Sequence, residues 1–179
     1  LESSFPRVSE APFSSERKRM TTVHRMPADN SGLAASLQPV WDWGGWAGLS
    51  QVKYFSVTKG AIDGLLDLSE KVWMQDRLVA MDDAWRKRIE AANERLAKQG
   101  MRVLGVACKN LDELPQEKDV DALQASLEKD LIFIGLFGMI DPARSEVKEA
   151  VATCRTAGIR PVMITGDHPL TAGYIAREL

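Results

Sequence analysis

Cysteine is scarce: Cys108 and Cys154 are the only two in 179 residues. Each lies in an apolar segment with no metal-type spacing around it. They read as buried free thiols in a reducing compartment, and a disulfide between them stays open on sequence alone. Histidine is as rare, with His24 and His168 only, and both read as structural or surface groups, assigned to neither catalysis nor metal. There is no excess of positive charge. The formal net charge of −2 argues against a general nucleic-acid surface. Long apolar runs are missing too. The longest, LIFIGLFGMI from Leu131 to Ile140, is too short to span a bilayer. The first residues do not read as a secretion signal, and the chain as given reads as soluble. Both ends read as cut. The chain starts on Leu1 and stops at Leu179 inside the helical pattern TAGYIAREL, as a domain excised from a longer protein would.

What is present suffices for a packed core, since 45% hydrophobic and 27% charged residues is ordinary globular composition. Pro12 reads as a turn before the strand TTVHR. Met26–Ser50 is rich in Gly, Pro and Asn and reads as a loop or insertion. Its three tryptophans, Trp41, Trp43 and Trp46, are read as a mini-core that pins the loop, or else as a sugar or partner platform. VKYFSVT (Val52–Thr58) reads as a strand and Ala61–Met74 as a helix. Asp82 caps a second helix running to Gln99, stopped by Gly100. Trp85, Ile89, Ala92 and Leu96 recur on it at helical spacing and mark its buried face. MRVLGVACK reads as a strand, and 112–130 as a polar connection. The end of the chain alternates: strand Leu131–Ile140, helix Arg144–Ala157, strand Ile159–Thr165, helix from His168. That is a βαβα unit of a parallel, doubly wound sheet.

Two stretches carry candidate chemistry. MITGD, Met163–Asp167, stands at the C-terminal end of a parallel strand, where open α/β sheets bind ligands. A hydroxyl and a glycine can hold phosphoryl oxygens there, and an Asp can hold Mg²⁺. Asp167 followed by His168-Pro169 is equally a helix start. FSSERKRM, Phe13–Met20, sets three consecutive cations between two apolar residues, which a purely solvated face does not need.

FSSERKRM, TKGA, MRVLGVA, GMIDPAR and MITGDHPLTA follow one another in the order found in P-type cation-transporting ATPases, and the chain resembles the calcium and sodium–potassium pumps of that family over nearly its whole length. The resemblance implies an α+β nucleotide-binding domain over residues 1–140, an antiparallel sheet with flanking helices. Residues 141–179 would be a partial phosphorylation domain, a Rossmann-like segment of the haloacid-dehalogenase kind. Phe13 looks like the aromatic that stacks on adenine, and Lys18 like the pocket lysine beside the base. Lys59 is similar to the lysine at the pocket's base, with Gly60 letting the backbone approach. Arg102 looks like the arginine that reaches the ATP phosphates. Asp141 and Arg144 match the inter-domain hinge, and Thr165, Gly166 and Asp167 the loop around the transferred phosphate. Arg17 and Arg19 are expected to face water. The chemistry suits these roles. A ring stacks on a purine for roughly 1–3 kcal/mol, a lysine is a mobile point charge, and an arginine grips phosphoryl oxygens in pairs.

The phosphorylated Asp of the family's D-K-T-G-T motif is not among the 179 residues, nor is the later T-G-D-G-x-N-D loop. TKGAID stands where T-K-G-A-P-E is commoner, and Pro142-Ala143 where the hinge has two prolines. The resemblance therefore implies a chain that binds ATP or ADP and hydrolyses none by itself. Its partners would be the phosphorylation, actuator and transmembrane domains of a pump, on the cytoplasmic side of a membrane it does not itself touch. Mg²⁺ would serve the intact enzyme, with no metal ligand in this chain. Two other readings stay open: a soluble haloacid-dehalogenase-like phosphatase, which needs a D-x-D strand not found here, and a protein-interaction module built on the Trp41–Trp46 loop.

Overall fold

The computed structural model describes residues 4–27, 52–74, 77–116, 119–140, 143–165 and 169–179. Trp41, Trp43 and Trp46, along with Asp141, Gly166, Asp167 and His168, lie outside the described residues. By internal contacts the chain divides into two compact units, Leu1–Arg86 with Gly105–Gly135, and Lys87–Leu104 with Leu136–Leu179.

A seven-stranded sheet, in the order β1-β2-β3-β6-β7-β4-β5, has most of its residues in the first unit. Its strands are β1 (Arg7–Ser14), β2 (Arg19–Arg25), β3 (Tyr54–Gly60), β4 (Ser69–Met74), β5 (Arg77–Ala80), β6 (Arg102–Leu111) and β7 (Leu131–Met139). β1, β2, β3 and β6 form consecutive antiparallel ladders, and β4 pairs antiparallel with β5. β4 and β7 run parallel, so the sheet is mixed rather than purely antiparallel. Pro12 sits inside β1, not before it. β1 is the edge of the sheet, where a missing N–H leaves no ladder bond unmade.

Side-chain alternation assigns the faces. Ala11, Thr21, Val23, Ser56, Thr58 and Ala107 are buried on one face. There Ala11, Val23 and Leu127 form a core joined by Val8, Tyr54, Leu111, Leu114 and Leu123. Leu123 and Leu127 come from α3 (Val120–Leu127), whose N-cap Asp119 accepts a bond from the Ala122 N–H at 2.9 Å. This helix stands where a polar connection is expected. The helix was signalled by that cap and by the i, i+4 leucines.

A second departure concerns Ala61–Met74, expected as one helix. α1 covers only Ile62–Asp67. It ends at Leu68, and the Ser69 hydroxyl donates to the Leu65 carbonyl at 2.6 Å, occupying one of the orphan acceptors of the helix end. SEKVWM then becomes β4 because β7 offers a ladder, with Val72 opposite Phe133. Non-local pairing outweighs local preference here. Leu65 is fully buried and lies over Gly105, where an added Cβ would come within 2.9 Å of the leucine's Cδ1.

The long helix is as expected. α2 spans Asp83–Lys98, the Asp82 carboxylate accepts from the Trp85 N–H at 2.8 Å, and Gly100 takes a left-handed φ of 78°. Ile89 is buried, and Trp85, Ala92 and Leu96 are half-buried on the same stripe. In the second unit, α4 (Ser145–Thr156) and α5 (Pro169–Glu178) form, and Tyr174 of α5 packs on Gly100. The strand expected over Ile159–Thr165 does not form. The stretch carries no ladder, and Ile159, Val162 and Ile164 are 59%, 71% and 94% exposed. A strand exists only within a ladder, and among the described residues no strand pairs with this stretch. The expected βαβα repeat is therefore absent, and β7 finds its parallel partner in β4 instead.

Leu65→Ala is expected to cost about 2–5 kcal/mol, read as a lowered urea midpoint at unchanged slope. Burial pushes the Cys108 thiol from 9.0 up to about 12, so it stays neutral in the folded chain at pH 8. Native protein should therefore alkylate at half-buried Cys154 and spare Cys108 until it is unfolded. The shift adds stability below pH 9.0 that falls away toward about pH 12, because only the unfolded thiol ionises in that window.

Candidate functional site

The β1–β2 hairpin carries the first candidate residues, and a defect in its ladder decides where they point. Register runs from Ala11 opposite Thr21 to Ser14 opposite Arg19, so β1 uses one residue more than β2 between them. That is a β-bulge at Pro12-Phe13. Ser14 and Arg19 therefore leave the core face together, and Phe13 leaves the other face alongside Met20. Met20 in turn stands opposite Lys59 on β3. Phe13, Met20 and Lys59 thus lie in a row across three strands, spanning roughly 10 Å at the usual strand spacing. The Phe13 ring is 62% exposed, Lys59 is exposed and Met20 is half-buried.

Lys18 closes the hairpin turn in the left-handed region, with φ 52°. Its N–H donates to the Ser14 carbonyl at 2.8 Å, and its own carbonyl accepts from the Ala61 N–H at 2.9 Å. The turn is thereby stitched to the start of α1, and the lysine side chain is exposed. Gly60 is buried at this seam. A Cβ there would lie 2.4 Å from Arg19 Cβ and 2.5 Å from the Lys18 carbonyl oxygen, so only glycine permits the close approach of β3 to the turn.

Arg17 and Arg19 do not face water as expected. Arg17 Nη1 donates to Glu128 Oε1 at 2.5 Å and Arg19 Nε to Glu128 Oε2 at 2.7 Å. The Glu128 side chain is only 2% exposed. Its Oε1 also accepts from the Thr21 hydroxyl at 2.9 Å, which lies 2.9 Å from the Thr58 hydroxyl. Arg17 Nη2 further donates to the Pro12 carbonyl beside the bulge. Sequence reasoning missed Glu128, and marked Met20 only as an apolar end of its stretch. The signal for the acid lay in β2, where Arg19 shares its face with Thr21 and Val23, so a cation directed at the core needs a buried counter-charge. His24 is structural, as expected: its ring stacks on Phe55 at 5.4 Å and its nitrogens engage the Phe5 carbonyl and the Thr22 hydroxyl.

The remaining candidates are scattered. Arg102 opens β6 on an exposed position and falls in the second compact unit. Arg144 is the exposed N-cap residue of α4 and makes no side-chain cap bond. It lines a cavity of about 270 Å³ with Ser145, Lys148 and Tyr174. Thr165 is exposed, and Asp141, Gly166 and Asp167 lie outside the described residues. Among the described residues no three His, Cys, Asp or Glu side chains gather as a metal site. No helix among them is long and apolar enough to cross a membrane.

Gly60→Ala should test the seam. Overpacking against Arg19 and the Lys18 carbonyl is expected to destabilise by about 1–3 kcal/mol, seen as a lower melting temperature.

Comparison with known proteins bears on this arrangement. The profile of the family described as P-type ATPase, cytoplasmic domain N, matches residues 1–146. The chain is 39% identical over its full length to "Calcium-transporting ATPase 1" of Bacillus cereus, and 33% identical over its full length to "Calcium-transporting ATPase" of Bacillus subtilis. It is 32% identical over 97% of its length to "Sodium/potassium-transporting ATPase subunit alpha-1" of Oreochromis mossambicus. It spans 17% of each bacterial relative and 15% of the fish one. By the match over residues 1–146, the chain belongs to the P-type ATPases, as a cytoplasmic domain N.

Proposed function

We propose that this chain binds an adenine nucleotide and serves, in a longer pump, to bring ATP to an aspartate outside these 179 residues. One observation carries the reading: an exposed Phe13 ring and an exposed Lys59 amine on one face, with half-buried Met20 between them. A planar anionic ligand suits that surface. Its base stacks on the ring over an apolar floor, and its charge is met by Lys59 and by Lys18 at the turn. Gly60 lets the backbone come close beneath. Arg102 is assigned to the phosphates, because a guanidinium fork matches two phosphoryl oxygens at once.

The division proposed is a nucleotide-binding domain over 1–140 and part of a phosphorylation domain over 141–179. Asp141 and Arg144 would form the hinge, and Thr165, Gly166 and Asp167 would surround the phosphate after transfer. The exposed apolar stretch Ile159–Ile164 supports a Rossmann-like tail whose neighbouring strands come from elsewhere in the pump. Transfer to an aspartate would split hydrolysis into two steps and drive cation movement through transmembrane and actuator domains, this portion working on the cytoplasmic side. Mg²⁺ would neutralise the phosphates. Its ligands are assigned to the intact enzyme.

Titration of the chain with ADP or ATP is expected to shift amide signals at Phe13, Lys59 and Arg102 in the submillimolar to millimolar range, on the order of −4 to −5 kcal/mol. Phe13→Ala should abolish those shifts, and no phosphate should be released. Signals unmoved at saturating ATP would exclude the reading, and phosphate release would favour a phosphatase instead.

A further inference from the structure

The hairpin that presents Phe13 and Lys18 is held from behind by a residue more than a hundred positions away along the chain. Arg17 and Arg19 flank Lys18, and both are bound by the Glu128 carboxylate on the core face, 111 and 109 residues away. With both neighbours drawn to that face, the turn residue between them adopts φ 52° and its side chain is exposed. A left-handed lysine persists only where its surroundings determine it. The same Arg17 guanidinium reaches the Pro12 carbonyl, so an unbroken run of contacts leads from Glu128 through Arg17 to the bulge that turns Phe13 outward. Thr21 completes the carboxylate's partners from within β2.

Glu128 is itself well fixed. It is the C-cap residue of α3, with its N–H bonded to the Gln124 carbonyl at 2.8 Å. Two residues on, Asp130 takes φ 54° and leads into β7. A nearly buried carboxylate satisfied by two guanidiniums and a hydroxyl holds its partners in one geometry, since releasing any of them leaves charge uncompensated away from water.

We infer that Glu128 is a positioning residue for the nucleotide surface: it touches no ligand, but by clamping Arg17 and Arg19 it sets the direction of Phe13 and Lys18. The inference rests on the nucleotide reading given above. Its consequence is that the guanidiniums of this very basic turn are committed to the scaffold, leaving Lys18 as the turn's cation for the ligand.

The test is ADP binding to the whole chain, followed by calorimetry or amide shifts. Glu128→Gln keeps the shape and removes the charge, and it should weaken ADP binding about tenfold. In a Phe13→Leu background, which keeps an apolar side chain, the same change should cost less than about threefold. That coupling is the signature of action through Phe13, because a general loss of stability would act equally in both backgrounds. Leu65→Ala, which destabilises without touching the hairpin, should leave the ADP affinity of the folded population unchanged. If Glu128→Gln does not fold, Arg17→Gln takes its place, leaves Glu128 paired with Arg19, and should show the same coupling. Wild-type binding with unaltered or tighter affinity in the variant, or equal losses in both backgrounds, would overturn the positioning role while sparing the nucleotide site. Absence of ADP binding by the wild type would overturn both.

Discussion

A carboxylate almost sealed from water, with two guanidiniums and a threonine hydroxyl around it, is the constraint on which the recognisable part of this molecule depends. Glu128 joins the far end of the β1–β2 hairpin to the junction of α3 and β7. Charge taken out of water costs several kcal/mol per ion unless it is fully matched, so the three partners are obligatory. A hydrophobic contact in the same place would hold the hairpin down but would tolerate sliding. Directional bonds fix its register and, through the turn, the orientation of what it carries. The order of construction is thus a rigid polar anchor on the core face and an exposed ring and amines on the other.

The sheet divides labour by face. On one side lie Ala11, Val23 and Leu127 with Thr21, Ser56 and Thr58, where burial supplies roughly 1.5–3 kcal/mol per large apolar side chain. On the other, His24 and Phe55 stack and Phe5 meets Phe55 edge-on at 5.8 Å. The exposed Phe13 stands on that side without being absorbed into the cluster. The bulge at Pro12-Phe13 makes this possible. Without its extra residue Phe13 would follow Ala11 to the buried face, and an exposed ring would become a core residue.

Local signals were enough for the parts of the fold that are themselves local. Asp82, Gly100 and the stripe from Trp85 to Leu96 define α2 almost to the residue, because caps and periodicity act within one element. β4 was read as helix because its fate depends on β7, far along the chain. Ile159–Thr165 was read as a strand because its composition is that of one, yet composition cannot supply a neighbour. The same distinction runs through the site. Phe13, Lys18, Lys59 and Gly60 were singled out through motifs, and the register accounts for Phe13 and Lys59 sharing a face. Arg17 and Arg19 were misjudged because their partner is more than a hundred residues away. Charge in a sequence does not announce whether it meets solvent or an opposite charge.

The parallel pairing of β4 with β7 joins segments about sixty residues apart, and a connection of that span carries a kinetic consequence. Closing so large a loop loses chain entropy before any contact compensates. The Ser69–Ala80 ribbon therefore cannot dock until β7 has left the ribosome, while the Arg7–Arg25 hairpin can zip up early. Synthesis from the amino end would leave the ribbon waiting as an unpaired, half-apolar edge, and this is where a nascent chain would be most exposed to mispairing with its neighbours.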